Sequence, residues 1–231
     1  MVTLSFSARE RGNVPCHKIE INFKEDEIIR ISKDEIVRLV RSADDKLIGK
    51  ELAQINADHI EKEVEKHQAI LKAEVYKVTV KDSTAYSGIL GVRVSHRIPA
   101  VRIMSSLGNY YLDRNGEKIP LSANYAANVL VATGYLTEEF AIKKLLPFVL
   151  YIEKDSFWNA QIKQIHIEKS GNILLTPLVG DHLIELGTIE NYSDKLYKMR
   201  AFYDQVLVRN NWNKYKLISL KYSKQIVAKK R

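Results

Sequence analysis

Cysteine is nearly absent from this sequence: Cys16 is the only one among 231 residues. A single cysteine excludes an intrachain disulfide and a cluster of thiolate metal ligands. Only five prolines and ten glycines are present, so no long flexible linker or low-complexity tract is visible. No apolar run approaches the roughly 20 residues that a membrane-spanning helix needs, and residues 1–6 are too few and too polar for a signal peptide. The sequence therefore predicts a soluble protein, or the soluble part of a membrane-anchored one.

Motifs for nucleotide binding and nucleophilic catalysis are also missing. Gly49-Lys50 is the one candidate for a phosphate-binding loop, but no glycine precedes it at the required spacing and no Ser or Thr follows it. The sequence contains no Gly-x-Ser-x-Gly motif. Cys16 and His17 are neighbours, and neighbouring strand residues point to opposite faces, so they do not form a catalytic dyad. These observations favour a protein that is not an enzyme and needs no cofactor.

The histidines show no metal-binding pattern. His59 and His67 are eight residues apart, which places them about 80° away from a shared helix face. Both are predicted to face solvent, and His96 and His182 are predicted to be surface residues rather than ligands. We therefore expect no metal site.

The formal net charge is +8, with 28% charged and 45% hydrophobic residues. This composition is that of a globular protein whose excess charge either attracts an anionic partner or only solvates the surface, and composition leaves both readings open. Aromatic residues lie among lysines near the C-terminus, but several are needed for a core, so we do not expect nucleic-acid binding. The charge has one concentration, which is the tail with Lys221, Lys224, Lys229, Lys230 and Arg231.

The order of predicted elements in the first part of the chain is strand, helix, helix, strand, strand. Alternating apolar residues predict a half-buried strand at residues 17–23. Ser32 and Asn56 each predict the N-cap of a helix. The second helix carries Glu61, Glu63 and Glu65, which are predicted to form a solvated face. Two further strands are predicted at residues 75–80 and 89–94.

Beyond Ala100, short strands and turns alternate. Asn115-Gly116 is typical of a tight hairpin turn. Thr137 and Ser193 predict the N-caps of two helices, and Pro147 is expected to break or kink the first of them. The second part is thus predicted to be a meander of antiparallel strands with two flanking helices. Its strands are predicted at residues 101–104, 109–112, 162–167, 173–175 and 183–186.

The C-terminal segment carries a pattern of its own. Ile218, Leu220 and Tyr222 alternate with polar residues, Lys224-Gln225 interrupts the pattern, and Ile226 resumes it. We predict a strand, a bulge or tight bend, and a short terminal strand that forms a sheet edge. Such an edge either binds a partner's strand or is an end of the core that lysines protect against aggregation.

A series of short motifs is spread over nearly the whole chain. In order, they are Leu47-Ile48-Gly49 with Ile55-Asn56, Ala73-Glu74-Val75, the run from Val94 to Arg102, Tyr111-Leu112-Asp113 with Gly116 and Ile119-Pro120-Leu121, Phe157-Trp158 with Ala160-Gln161-Ile162, Leu186-Gly187, Lys195-Leu196, and Phe202-Tyr203. Their order and spacing resemble the extracytoplasmic region of bacterial FtsQ/DivIB division proteins, most of all the Bacteroidetes branch.

The resemblance implies an α+β architecture with a POTRA module of β-α-α-β-β order at residues 16–100, after an extension at residues 1–15, and a β domain at residues 101–231. It implies a non-catalytic divisome protein that holds FtsB- and FtsL-type partners at the septum. It also implies a single membrane helix ahead of residue 1, so that Met1 is not the native start. The protein would then lie on the periplasmic face of the cytoplasmic (inner) membrane.

Together, the tail pattern and the resemblance predict a partner-binding site at the C-terminal edge strand. Two alternatives remain open: a POTRA-type chaperone module of an outer-membrane assembly or secretion protein, and an unrecognised cell-wall hydrolase. The predicted site residues are Tyr222, Ser223, Lys224, Gln225, Ile226, Val227, Ala228, Lys229 and Lys230.

Overall fold

The computed structural model describes residues 14–24, 31–81, 86–122, 126–207, 213–223 and 225–231. These residues form two compact units, which divide between Arg97 and Ile98 except that Ser122 groups with the first unit. The domain limits predicted at residues 15 and 100 stay predictions, and most of the predicted N-terminal extension lies outside the described residues.

The first unit has the predicted β-α-α-β-β order. Its three strands form a sheet in the order β1-β3-β2, with β1 parallel and β2 antiparallel to the central strand β3. A short 3-10 turn, Leu52–Gln54, lies between the two helices. The elements are β1 (Cys16–Phe23), α1 (Lys33–Ala43), α2 (Ala57–Glu65), β2 (Ile70–Lys81) and β3 (Tyr86–His96).

Side-chain caps start both helices of this unit where the sequence predicts them. The Ser32 hydroxyl accepts a hydrogen bond from the Glu35 amide at 3.2 Å, and the Asn56 side chain accepts one from the His59 amide at 3.1 Å. Each cap satisfies an amide that the helix itself leaves without a partner. Both helices then bury apolar residues against the sheet. The helices contribute Ile36, Val40, Ile60 and Val64, and the central strand β3 contributes Leu90, Val92 and Val94.

In the described residues, nine strands of the second unit form one sheet in the order β12-β11-β10-β9-β8-β7-β4-β5-β6. The strands are β4 (Pro99–Ser105), β5 (Gly108–Asp113), β6 (Lys118–Ile119), β7 (Leu130–Gly134), β8 (Ile162–Ile167), β9 (Ile173–Pro177), β10 (Leu183–Gly187), β11 (Tyr215–Ser219) and β12 (Val227–Lys230). The helices are α3 (Glu138–Phe140), α4 (Leu146–Lys154), α5 (Ser156–Gln161) and α6 (Tyr192–Phe202). The predicted α+β fold is therefore confirmed.

The second sheet is mixed, which corrects the prediction of a purely antiparallel β domain. Strand β4 is parallel to β7, β7 to β8, and β10 to β11. Helices lie in the connections from β7 to β8 and from β10 to β11, and a crossover of this kind returns the chain in the same direction. The short length of the strands made them resemble consecutive hairpins.

Pro147 disturbs its helix without ending it. The π-helical turn Ala141–Leu145 lies directly before α4, and Pro147 occupies the first turn of α4. A proline has no amide to donate and crowds the carbonyl one turn earlier, and a wider π turn relieves that crowding. Leu145, Phe148 and Val149, on either side of Pro147, are buried in the core.

The N-cap predicted at Ser193 is wrong. Helix α6 begins at Tyr192, and its N-cap, Asn191, has a left-handed backbone (φ 54°) with no capping bond from its side chain. Asparagine tolerates this conformation better than most residues. A second π-helical segment, Tyr203–Leu207, follows α6.

No helix within the described ranges has both the length and the apolar character required to cross a membrane.

Candidate functional site: the edge formed by the C-terminal strand

Strand β12 is the last strand on one side of the nine-stranded sheet. It pairs antiparallel with β11, with Ala228 opposite Ile218 and Val227 opposite Ser219. Within the part of the chain that the structure describes, no strand pairs with the other side of β12. That side is called the β12 edge below. It holds the backbone groups of Val227–Lys230 that the sheet itself does not use.

The register shows which amides face this edge. The Arg231 amide donates to the Lys214 carbonyl at 3.2 Å, so it points toward β11. Backbone groups alternate in direction along a strand, so those of Lys229 and Val227 also point toward β11. The amides of Ala228 and Lys230 therefore face the β12 edge, where they are available to an added strand.

Side chains of β12 alternate between the two faces of the sheet. Ile226 and Ala228 are half-buried and pack against the core, whereas Val227, on the other face, is 44% exposed. Lys229 and Lys230 are both exposed. Strand β12 thus packs on the core through one face, and its outer edge pairs with no described strand.

The remaining predicted site residues lie in the connection from β11 to β12. Tyr222, Ser223 and Gln225 are exposed, and Lys224 lies outside the described residues. Strand β11 ends at Ser219, so the prediction that it extends to Tyr222 is wrong. Leu220 is buried in the core although it lies beyond the strand. The apolar alternation in the sequence therefore predicted a longer strand than the structure has.

Two contacts hold this connection near neighbouring elements. The Lys198 ammonium of α6 donates to the Ser223 carbonyl, and Lys221 forms an ion pair with Glu185 of β10 at 3.5 Å. Gly187 has φ 77°, and a Cβ atom there would lie 2.8 Å from Lys221 Cγ. A side chain at position 187 would therefore need the positive φ and a shift of the Lys221 side chain, whereas the Lys221 Cα atom would lie at an ordinary 3.5 Å.

The far end of β12 is held by Arg231. Its guanidinium donates to the Asp181 carbonyl at 2.9 Å and lies 3.2 Å from the Asp181 carboxylate. Together with the bond to Lys214, these contacts fix the register of the strand. The C-terminal end of the β12 edge is therefore held by contacts within the second unit.

His182 is buried, which contradicts the prediction of a surface histidine. Its Nε2 atom lies 2.9 Å from the Tyr203 hydroxyl. Burial raises the pKa of Tyr203 to about 12, and a hydrogen bond from Gln161 opposes this rise. His96 is buried as well, and its ring lies 5.1 Å from that of Phe23. His96 is the last residue of β3, and His182 follows a turn. At such positions no periodic pattern in the sequence indicates burial.

Two carboxylates in the first unit have a role that the sequence did not reveal. Glu61 accepts a hydrogen bond from the Val75 amide at 2.7 Å, and Glu65 accepts one from the Ala73 amide at 3.0 Å. These two amides lie on the side of β2 that faces away from β3. The pair is four residues apart on α2, and this spacing was the available signal, because such residues share one helix face.

The described residues contain no group of three or more His, Cys, Asp or Glu side chains that could hold a metal ion. Cys16 is buried, and burial raises the pKa of its thiol. His59 is exposed, as predicted.

Comparisons with protein families match both units. Residues 98–229 match the family model described as "FtsQ/DivIB, C-terminal related", and residues 14–83 match the one described as "POTRA-like domain". The first match covers more than half of the 231 residues and includes nearly all of the β12 edge. The FtsQ/DivIB family is one of non-catalytic division scaffolds. No curated protein matched the sequence.

Proposed function

The chain belongs to the FtsQ/DivIB, C-terminal related family, and from that premise we propose that it is a non-catalytic scaffold that binds FtsB- and FtsL-type division proteins by strand addition at the β12 edge. The observation that carries the proposal is the open edge itself. The amides of Ala228 and Lys230 face outward on a strand whose register is already fixed by Arg231. In strand addition, main-chain hydrogen bonds provide affinity and alternate side chains provide specificity.

The membership also supports a location for the protein. Proteins of this family have a periplasmic domain and reside in the inner membrane. We propose that a membrane helix ahead of this segment anchors the full-length protein, with both described units on the periplasmic side. Fractionation of cells that express the full-length gene tests this: recovery in the membrane fraction with protease-accessible epitopes is expected, and recovery in the cytoplasm contradicts it.

The family match also bears on the alternative of an outer-membrane chaperone module. A POTRA-like domain alone suits either function, because such modules occur in both settings. The match over residues 98–229 supports the division scaffold, since it covers all but the last two residues of the second unit.

The test of strand addition is the substitution Ala228→Pro. Proline removes the amide that faces the β12 edge, and its ring obstructs a neighbouring strand. Because this amide has no role within the sheet, the protein should stay folded. Affinity for an FtsB-type partner should fall roughly tenfold or more, since one lost hydrogen bond contributes about 1 kcal/mol and the ring adds a steric clash.

Ala228→Val is the matched control, because it keeps the amide and a β-branched side chain suits a strand. Binding should be measured by calorimetry, with circular dichroism to confirm folding. Equal affinities of folded Ala228→Pro and Ala228→Val proteins for the partner would rule out strand addition at this edge. Val227→Pro is a poorer probe, because the Val227 amide faces β11.

A further inference from the structure

The excess positive charge of the chain lies entirely in the segment that forms β11 and β12. All 28 Asp and Glu residues lie at or before Asp204, whereas eight of the 36 Lys and Arg residues lie after it. The residues up to Asp204 therefore carry 28 charges of each sign and are balanced. The net charge of +8 is local rather than distributed, and it accompanies the candidate binding strand.

Some of these basic residues already have partners within the fold, and others do not. Arg231 pairs with Asp181, and Lys221 pairs with Glu185. By contrast, Lys216, Lys229 and Lys230 are exposed and form no ion pair with any described residue. The two lysines that lack a partner on β12 are consecutive and occupy its C-terminal half.

Consecutive residues of a strand point to opposite faces, so Lys229 and Lys230 present a positive charge on each face of the sheet. Lys230 follows Ala228 on the helix-covered face, and Lys229 follows Val227 on the other. The N-terminal half of β12 is apolar on both faces, with Val227 on one and Ala228 on the other, and Ile226 lies directly before the strand and packs with Ala228 on the core. A strand added here would meet apolar side chains at one end and lysines at the other.

We propose that the partner segment that adds to β12 is antiparallel and chemically polarised: acidic on both faces in its first half, where it passes Lys229 and Lys230, and apolar in its second half, where it passes Val227 and Ala228. This inference rests on the proposed function and names the chemistry of its partner. Antiparallel addition is favoured because antiparallel strand pairs are slightly more stable per residue than parallel ones, and it places the start of the added strand beside the end of β12. Opposite charges on adjacent strands stabilise the pairing, whereas like charges destabilise it.

Basic residues also attract anionic lipids, but the geometry favours a polypeptide. The lysines flank a row of backbone amides whose spacing suits another strand, and a lipid headgroup cannot form such a ladder. Lipid binding does not depend on the register of this strand, whereas the contacts of Arg231 hold that register. An acidic peptide is therefore the occupant that satisfies both the charge and the hydrogen-bonding groups.

The test uses the full 231-residue chain and four synthetic peptides that alternate valine and threonine. The first peptide has two glutamates before its apolar part. The second and fourth peptides have glutamines and lysines, respectively, at those same two positions. The third peptide has the two glutamates after its apolar part. The first peptide should bind at least about tenfold more tightly than the others at low ionic strength, and the difference should shrink as salt screens the charges.

Charge reversal on the protein provides the second arm. Lys229→Glu/Lys230→Glu should bind the lysine peptide more tightly than the glutamate peptide, which reverses the wild-type preference. Lys33→Glu/Lys62→Glu is the matched control, because it makes the same change in net charge on exposed helical positions of the first unit. That control should keep the wild-type preference.

The outcomes separate this inference from the proposed function. If Ala228→Pro weakens binding but glutamate and glutamine peptides bind equally, strand addition stands and the polarity proposal is overturned, and the lysines only guard the edge. Equal binding of the first and third peptides would overturn the antiparallel direction. If phosphatidylglycerol vesicles bind the chain and Ala228→Pro alike while no peptide binds, the charge serves a lipid surface and the inference fails.

Discussion

Strands β2 and β12 each lie at one edge of their sheet, and the amides that face those two edges have opposite environments. On β2, the amides of Ala73 and Val75 donate to Glu65 and Glu61 of the neighbouring helix α2. On β12, the amides of Ala228 and Lys230 face a side where no described strand lies. Part of the first edge is thus covered from within, whereas the second is left open.

An unpaired strand edge invites association, and proteins usually cover or blunt it. The first unit uses carboxylates for that purpose, since an ionised carboxylate accepts strong hydrogen bonds from backbone amides. The second unit keeps its edge ordered, flanks it with lysines and leaves its amides available. The contrast supports the proposal that a partner binds the β12 edge, because the same chain covers part of another edge with carboxylates.

The largest effect should come from placing proline on each edge. Val75→Pro removes the amide that donates to Glu61 and leaves that carboxylate without it, so it should lower the free energy of unfolding by about 3 kcal/mol. Ala228→Pro should change it by less than about 1 kcal/mol, because that amide points away from β11 and bonds to no described residue. Urea denaturation followed by circular dichroism measures both. Equal losses would show that the two edges do not differ.

The next effect comes from uncovering the β2 edge. Glu61→Ala/Glu65→Ala should lower the free energy of unfolding by about 2 kcal/mol, because each carboxylate satisfies one backbone amide. It should also promote self-association, which light scattering detects. Glu63→Ala is the control: Glu63 pairs with Lys66 on the surface, so its loss should leave the free energy of unfolding nearly unchanged. Monomeric, fully stable double variants would contradict the covering role.

A third effect concerns the lysines of the other edge. Lys229→Val/Lys230→Thr raises strand propensity and removes two charges, so the β12 edge should begin to pair with a second copy. Sedimentation velocity should then show dimers whose fraction grows with concentration. Adding Ala228→Pro to this variant should abolish the dimers, since it blocks the same edge. If the triple variant with Ala228→Pro still dimerises, the dimers form through a surface other than the β12 edge.

The smallest effect concerns the end of β12. Asp181→Ala removes an exposed partner of Arg231, so the free energy of unfolding should fall by only about 0.5 kcal/mol. Local order should change more, with faster hydrogen exchange at Val227 and Lys229, whose amides pair with β11. The charge-swapped variant Asp181→Arg/Arg231→Asp should restore slow exchange. Unchanged exchange in Asp181→Ala would mean that Arg231 does not hold the register.

Local patterns predicted much of the fold. Ser32, Asn56 and Thr137 cap their helices as expected, and the strand predicted at residues 162–167 is observed with the same limits. These features depend on neighbours in the sequence, so short-range chemistry determines them. The α+β architecture and the β-α-α-β-β order of the first unit followed from the same local signals.

Features that depend on distant residues could not be predicted in this way. Strand direction in the second sheet depends on which strands become neighbours, and the burial of His182 depends on the approach of Tyr203 from the π-helical segment after α6. Glu61 and Glu65 resembled a solvated helix face until β2 was placed beside them. The β12 edge could be located from the tail pattern, but the direction of its amides required the bond between Arg231 and Lys214.

The most direct test of the central claim is residue-resolved hydrogen exchange of the chain, alone and with an FtsB-type partner bound. Amides that face β11, those of Val227 and Lys229, should already be protected in the free protein. Those of Ala228 and Lys230 should exchange rapidly when free and become protected in the complex. If the partner is bound at saturation and Ala228 and Lys230 still exchange as fast as in the free protein, the partner does not add a strand to β12.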